Sequence, residues 1–335
     1  MSFKRYEADD FVVSSDSITS TLWSTNTPTL TEFYTSSVQS AGSSGNFYLS
    51  VFETSSFTNV QFDIAYADVE GSGSSYYSST VVGKSPSLSI YGQYRALILE
   101  DENKSFTFGV GNNVHTAENF WVLSTERARY KESLFPGSLN LQLSGSNGTI
   151  HLTDNSNDVL VNTFVGSSRV YQLISGSDGT AGTLANSGFV DASGSYGLVF
   201  PELGTILLNP QAISQSIHVD AVRTPNSTNG VNNETLFEAI TLGKSFRLNS
   251  EETITSDYIF TRARNSEFNY TQNPTFISGS TGEVIYNSFI NNPQTYITTI
   301  GMYNDTNELV AVAKLSRPLI KDFTKEALVR VKLDF

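Results

Sequence analysis

Cysteine is absent from all 335 residues, which removes disulfide frameworks and thiolate metal sites and leaves the redox compartment unencoded. Charge is also scarce: Asp, Glu, Lys and Arg make up 16% of the chain against roughly 25% in an average globular protein. The three histidines, His115, His151 and His218, stand in separate segments without metal-ligand spacing, as packed or solvated histidines do. No apolar run approaches the roughly 18 residues of a membrane span. The opening MSFKRYEADDFVVSS lacks the apolar core of a signal peptide, so the expectation is a chain made in cytosol, with no membrane partner. Its Asn-x-Ser/Thr sequons then carry no meaning. With a net charge of -13, the long-range field has the wrong sign for nucleic acid or an anionic membrane.

What the chain has in abundance is uncharged polarity. Ser, Thr, Asn and Gly do the solvating, while 22 Phe and 16 Tyr argue for order even in the Ser-rich stretches. A chain of this length buries about three quarters of its unfolded surface, so stability demands no cofactor.

The densest pattern is C-terminal. Tyr296 to Tyr303 and Leu309 to Leu315 read as strands joined by the turn Asn304-Asp305-Thr306-Asn307. After a hinge-like Ser316-Arg317-Pro318, the stretch Ala327 to Phe335 alternates. Ala327, Val329, Val331, Leu333 and Phe335 share one face, with Arg330, Lys332 and Asp334 on the other. Basic residues gather here, Lys314, Arg317, Lys321, Lys325, Arg330 and Lys332 against Asp322, Glu326 and Asp334. A basic end of this kind suits an acidic surface on another copy or partner. The plain alternative is a solvated strand face.

Upstream, residues 1–46 read as an extended N-terminal arm. Phe47 to Phe52 and Val60 to Ala67 read as a hairpin, Ser89 to Glu100 as a short helix, and Phe106 to Val110 and Phe120 to Ser124 as strands. Thr125 to Gly137 is the densest charge cluster, either a partner-binding loop through Arg127, Arg129 and Lys131 or a solvated connector. From 138 to 208, short strands recur between Ser-Gly-Ser-Asn-Gly-type turns, the cadence of a small antiparallel sandwich or barrel. Two helices follow, one from Pro210 and one from an Asn233 N-cap to Gly243. Ile254 to Tyr270 is ambiguous between helix and strand and is assigned to strand. The resulting expectation is a mainly β chain of antiparallel sheets and sandwich domains with few short helices. Its organisation would be an arm (1–46), a β-rich core (47–137 with 244–335), an inserted domain (138–208) and a helical connector (209–243).

Catalytic signatures are missing. Gly83-Lys84-Ser85 and Gly243-Lys244-Ser245 each end like a phosphate loop, but Ser78 and Glu238 stand where the required Gly should be. The common local motifs of serine nucleophiles do not occur. Asp154-Asn155-Ser156-Asn157-Asp158 spaces oxygens as a calcium loop does, with Val159 where that loop needs Gly. Trp23, Trp121 and the tyrosines suit a core better than a sugar platform. The expectation is no enzyme, no metal and no cofactor.

Several segments carry a resemblance. Tyr91-Gly92-Gln93-Tyr94-Arg95, Glu126 to Glu132 (ERARYKE), Leu134 to Leu139 (LFPGSL), Arg264 to Tyr270 (RNSEFNY) with Asn273-Pro274, and the C-terminal block resemble virion structural proteins of T-even-type myoviruses of marine bacteria, especially cyanophages. The hairpin from Gly301-Met302-Tyr303 to Ala313 is similar to modules of phage baseplate and tail-fibre proteins. The resemblance touches both ends and the middle and leaves mainly 140–250 uncovered. It implies a multi-copy subunit of a contractile tail, most simply a baseplate wedge protein located in the virion. Its partners would be other tail subunits and copies of itself, and it implies no catalytic residues. The interface residues expected are Arg127, Arg129, Lys131, Arg317, Arg330, Lys332 and Phe335. Alternatives are a receptor-binding or fibre-attachment module for host glycans, a head or neck protein, and a polysaccharide-cleaving enzyme with two carboxylates flanking a cleft.

Overall fold

The structure is a computed structural model that describes residues 5–23, 34–36, 48–53, 59–74, 85–159, 163–182, 189, 193–224, 231–270 and 273–334. It is mainly β, with 48% strand and 17% helix, as the patterning predicts. The chain forms two compact units, one of Ile18–Glu252 and one of Met1–Ser17 with Thr253–Phe335.

In chain order the first strand is β1 (Phe11–Thr21). The large unit then supplies β2 (Tyr34–Ser36), β3 (Tyr48–Phe52), β4 (Val60–Asp68), β5 (Phe106–Val110), β6 (Asn113–Ala117), β7 (Asn119–Thr125) and β8 (Ser133–Leu134). It continues with β9 (Asn140–Gly145), β10 (Gly148–Asp154), β11 (Thr163–Val165), β12 (Ser168–Ser177), β13 (Thr180–Ala181), β14 (Gly197–Phe200), β15 (Thr205–Leu208) and β16 (Phe246–Arg247). Its helices are α1 (Pro86–Tyr94), α2 (Pro210–Ile217) and α3 (Val231–Gly243). The small unit holds most of β17 (Asn249–Ala263), then α4 (Asn287–Asn291), β18 (Thr295–Tyr303), β19 (Leu309–Lys321) and β20 (Ala327–Asp334).

The large unit is built on one antiparallel sheet of 12 strands in the order β16-β9-β10-β12-β14-β15-β7-β4-β3-β2, with β11 and β13 hanging on β12. Its central strands are apolar on both faces, as strands covered on both sides must be. On β7, Trp121 and Leu123 enter one core while Phe120 and Val122 enter the other. Helices α2 and α3 cover the first face through Ala212, Ile213, Ile217, Leu236, Ala239 and Ile240. Helix α1 and the β5–β6 hairpin cover the second through Ile90, Tyr91, Phe106 and Phe108.

The strands between 138 and 208 therefore do not make a sheet of their own. Strand β15 pairs with β7, and β9 pairs with β16. The short-strand cadence is real, but pairing partners far apart in sequence merge it into a larger sheet. Likewise 209–243 is a cover for that sheet, and the 244–335 span divides after Glu252. Helix α1 begins earlier than the sequence predicts, because Pro86 at its first turn presets the backbone, and it continues as a π-helical turn over Arg95–Leu99. Asn233 lies inside α3, buried, and not at its cap. The part of the arm at 24–33 and 37–46 lies outside the described residues. Leu22 and Trp23 are buried in the large core, where Trp23 Nε1 donates to Phe246 O at 2.7 Å.

In the small unit, β17 pairs along Ser256–Ala263 with β20 and on its other side with β1. Strands β18 and β19 form a hairpin over this sheet. Ile259, Met302 and Val331 are its buried centre, with Tyr6, Ile300, Ala311, Ala313 and Leu333 packed around them. The alternation expected of β20 is observed, Ala327 and Val331 buried and Leu328, Arg330 and Lys332 exposed. The segment Ser316-Arg317-Pro318 is not a hinge. Strand β19 runs through it, and the register between Ile297 and Thr299 shifts to absorb the extra residues.

Candidate functional site

Three places were candidates for chemistry, and in the first the carboxylate and amide oxygens already hold the fold. The Asp154 carboxylate accepts from the backbone N–H of Gly137 at 3.0 and 2.9 Å and from that of Ser156 at 3.0 Å. Asn155 Oδ1 accepts from Gln172 N, and Asp158 Oδ2 from Ala181 N, both at 2.9 Å. These oxygens, which a calcium ion would need, fasten loops to one another. Gly243 closes α3 instead of opening a helix, so no cradle of free N–H groups faces a phosphate there, and Gly83 and Lys84 lie outside the described residues. The three histidines are dispersed: His115 on β6, His151 on β10 and His218 as the left-handed cap of α2. Burial holds the His115 imidazole below its ordinary value, against the pull of Glu118. Among the described residues, no group of three or more His, Asp or Glu is placed to hold a metal.

A charged cluster that the sequence did not announce lies in the large unit. Asp68, fully buried, accepts from Glu70 N and Ser72 N through Oδ1 and from Arg223 Nε at 2.6 Å through Oδ2. Arg223 also donates to Glu118. Burial opposes the Arg223 charge, but the two carboxylates outweigh it and hold the guanidinium above its ordinary value. The cluster ties the 68–72 turn to the segment after α2. Its residues come from separate parts of the chain, and no spacing rule links them.

Of the expected interface residues, Arg127 and Arg129 are occupied within the chain. Arg127 lies over the Tyr130 ring at 4.4 Å and donates to Tyr130 O at 2.7 Å. Arg129 is half-buried, donates to Val60 O at 2.9 Å and pairs with Glu53 at 3.6 Å. Exposed Lys131 reaches Glu252 at 3.5 Å. These contacts describe a fastened connector. Phe335 lies outside the described residues.

The small unit presents the rest. Arg330 and Lys332 stand on the outer face of β20, the Arg330 guanidinium 5.3 Å and the Lys332 ammonium 6.0 Å from the Tyr258 ring centre. Lys332 also meets Asp334 at 2.8 Å, and Arg262 pairs with Glu326 at 2.6 Å. Lys321 does not belong to this basic face. It is fully buried, its ammonium donating to Asn265 O, Asn269 Oδ1 and Asp322 O at 2.8 to 2.9 Å. None of the ion pairs among the described residues involves Lys314, Arg317 or Arg330.

Apolar exposure is concentrated in the same unit. Val310, Val312, Leu328 and Phe323 are each more than half exposed. Every residue of β1 is exposed, including Phe11, Val12 and Val13. A groove of about 840 Å³ runs beside β18, lined by Ala263, Ala327 and Val329 and by the rings of Tyr6, Phe11 and Phe268. Arg5 and Asp305 are the charged groups lining it. Phe268 is held in the left-handed region at φ 51°, its carbonyl bonded by Thr295 Oγ1 at 2.6 Å.

No family model, curated protein or solved structure matches the chain.

Proposed function

We propose that the protein is a structural subunit that works through protein–protein interfaces made by its small β unit. The observation that carries this is the apolar exposure of that unit. A sheet-edge strand with no buried side chain, a hairpin with Val310 and Val312 outward and an open apolar groove form a surface suited to a partner. Arg317 and Arg330 add cations at its margin that charge-bearing partners would complement. Together with the resemblance of the C-terminal block to phage virion proteins, this supports a multi-copy subunit of a contractile tail, most simply of its baseplate. The partners would then be neighbouring tail subunits and further copies of the chain.

Deleting Ala327 to Phe335 removes β20 and with it Val331, one of the three residues at the small unit's buried centre. The truncated chain is expected to be absent from assembled particles while its large unit still folds, which mass spectrometry of purified particles and circular dichroism of the free chain would read. Normal particles containing the truncated chain would overturn the proposal.

A further inference from the structure

Helices α1 and α3 cover opposite faces of the large sheet, yet their first turns line one recess beside Tyr66 of β4. The segment Gly73-Ser74 joins them. Ser74 Oγ accepts from Ser87 N at 3.2 Å and so caps the first turn of α1, which the side chain of Ser85 at the N-cap position leaves uncapped. On the other side Asn232 of α3 donates through Nδ2 to Gly73 O at 2.8 Å and to Val222 O at 3.0 Å, and accepts from Val222 N at 2.8 Å. Its neighbour Asn233 also lines the recess. Asn233 is only 3% exposed, and among the described residues no donor meets its buried Oδ1.

We infer that the recess holds one internal water molecule, which donates to Asn233 Oδ1 and to Ser74 Oγ and so ties α3 to α1. The room fits, since the cavity is about 10 Å³, close to the least volume that admits one water. The protons fit as well. The Ser87 hydroxyl donates to Ser72 O at 2.9 Å, so in its 3.0 Å contact with Ser74 it accepts. Ser74 Oγ therefore gives its proton to Ser87 and takes one bond from Ser87 N, which leaves one of its two lone pairs open. A water donating to that lone pair and to Asn233 Oδ1 has both of its protons placed. Other classes of ligand do not suit the recess. No charged side chain lines it, and a calcium or magnesium ion needs about six oxygens, whereas those of Asn232, Ser74 and Ser87 are already bonded within the chain. An apolar occupant would leave Asn233 Oδ1 buried and unmet. The site belongs wholly to the large unit and does not depend on the assembly role proposed above.

High-resolution crystallography of the full chain reads the site directly. The expected result is one density peak roughly 2.7 to 3.2 Å from both Asn233 Oδ1 and Ser74 Oγ. Asn233→Asp keeps an acceptor and should keep the peak, while Asn233→Leu, of similar shape, should lose it. In solution, magnetic relaxation dispersion of the water oxygen should count one long-lived water fewer in Asn233→Leu than in the wild type. Unfolding supplies a check that does not need the water to be seen. Because one water serves both groups, Asn233→Leu and Ser74→Ala together should raise the unfolding constant about fivefold less than the product of their separate effects. A wild type without the peak, a peak that persists in Asn233→Leu, or effects that simply multiply would each overturn the inference. A peak with about six oxygens at roughly 2.3 to 2.6 Å would overturn it in favour of a cation. Should Asn233→Leu not fold, the peak in the wild type and in Asn233→Asp decides alone.

Discussion

The ammonium of Lys321 gives its three N–H bonds to uncharged oxygens and contacts no carboxylate, although the residue is fully buried. It joins the end of β19 to the 265–269 loop and so fixes Phe268 in the groove wall. Removing the charge while keeping the stem, as in Lys321→Met, spares the cost of burying an ion but leaves Asn265 O, Asn269 Oδ1 and Asp322 O without their donor. The unpaired acceptors outweigh the gain. We expect a loss of about 3 kcal/mol in the small unit, with faster hydrogen exchange at 265–270 and unchanged protection of β7.

Close approach of backbones governs the elements. At Gly243 an added Cβ would sit 1.9 Å from Gln142 O, because the last turn of α3 lies directly on β9. Gly243→Ala must push the helix off the sheet that it covers. A loss of about 3 kcal/mol is expected, measured as a lower denaturant midpoint with an unchanged slope. This element also shows what the sequence made legible. Gly243 was visible as a helix end, and the period of β20 and the apolar run Phe120 to Leu123 were visible as strands. Each of these is written in a few consecutive residues. Which strand lies beside which is not. The pairing of β15 with β7 and of β9 with β16 depends on contacts between distant segments, so the 138–208 strands looked like a separate sandwich. Lys321 was misjudged for a related reason. A lysine in a basic strand reads as exposed until the acceptors of a loop more than fifty residues away close over it. The groove had no local signal at all, since it is formed by β17, β18, β20 and the segment before β1.

At the scale of the whole molecule there are two units of unequal size, and they are expected to unfold in two steps, the small unit first. Both tryptophans, Trp23 and Trp121, belong to the large core. Tryptophan fluorescence should therefore report the later transition alone, while circular dichroism reports both, and coincident curves would refute the scheme. Acid should widen the gap. Hydrogen bonds from Asn304 and Thr306 hold the Glu308 carboxyl below its ordinary value, Thr324 does so for Asp322, Arg262 for Glu326, and Lys332 with Ser256 for Asp334. A carboxyl depressed on folding contributes stability above its unfolded value and loses it as pH falls through the folded one. These contributions fade below about pH 4. In the large unit burial raises the Asp63 carboxyl, which reverses the sign, so protonation there relieves the fold. The first transition should thus move further than the second between pH 7 and pH 3. Because no side chain of β1 is buried, the fold places little demand on that strand's sequence beyond Phe11, which packs on Tyr6, and the ability to stay extended. Under the assembly role proposed above, substitutions along β1 would accumulate at the pace of the surface it meets, so β1 is where such a subunit would change its company while keeping its architecture.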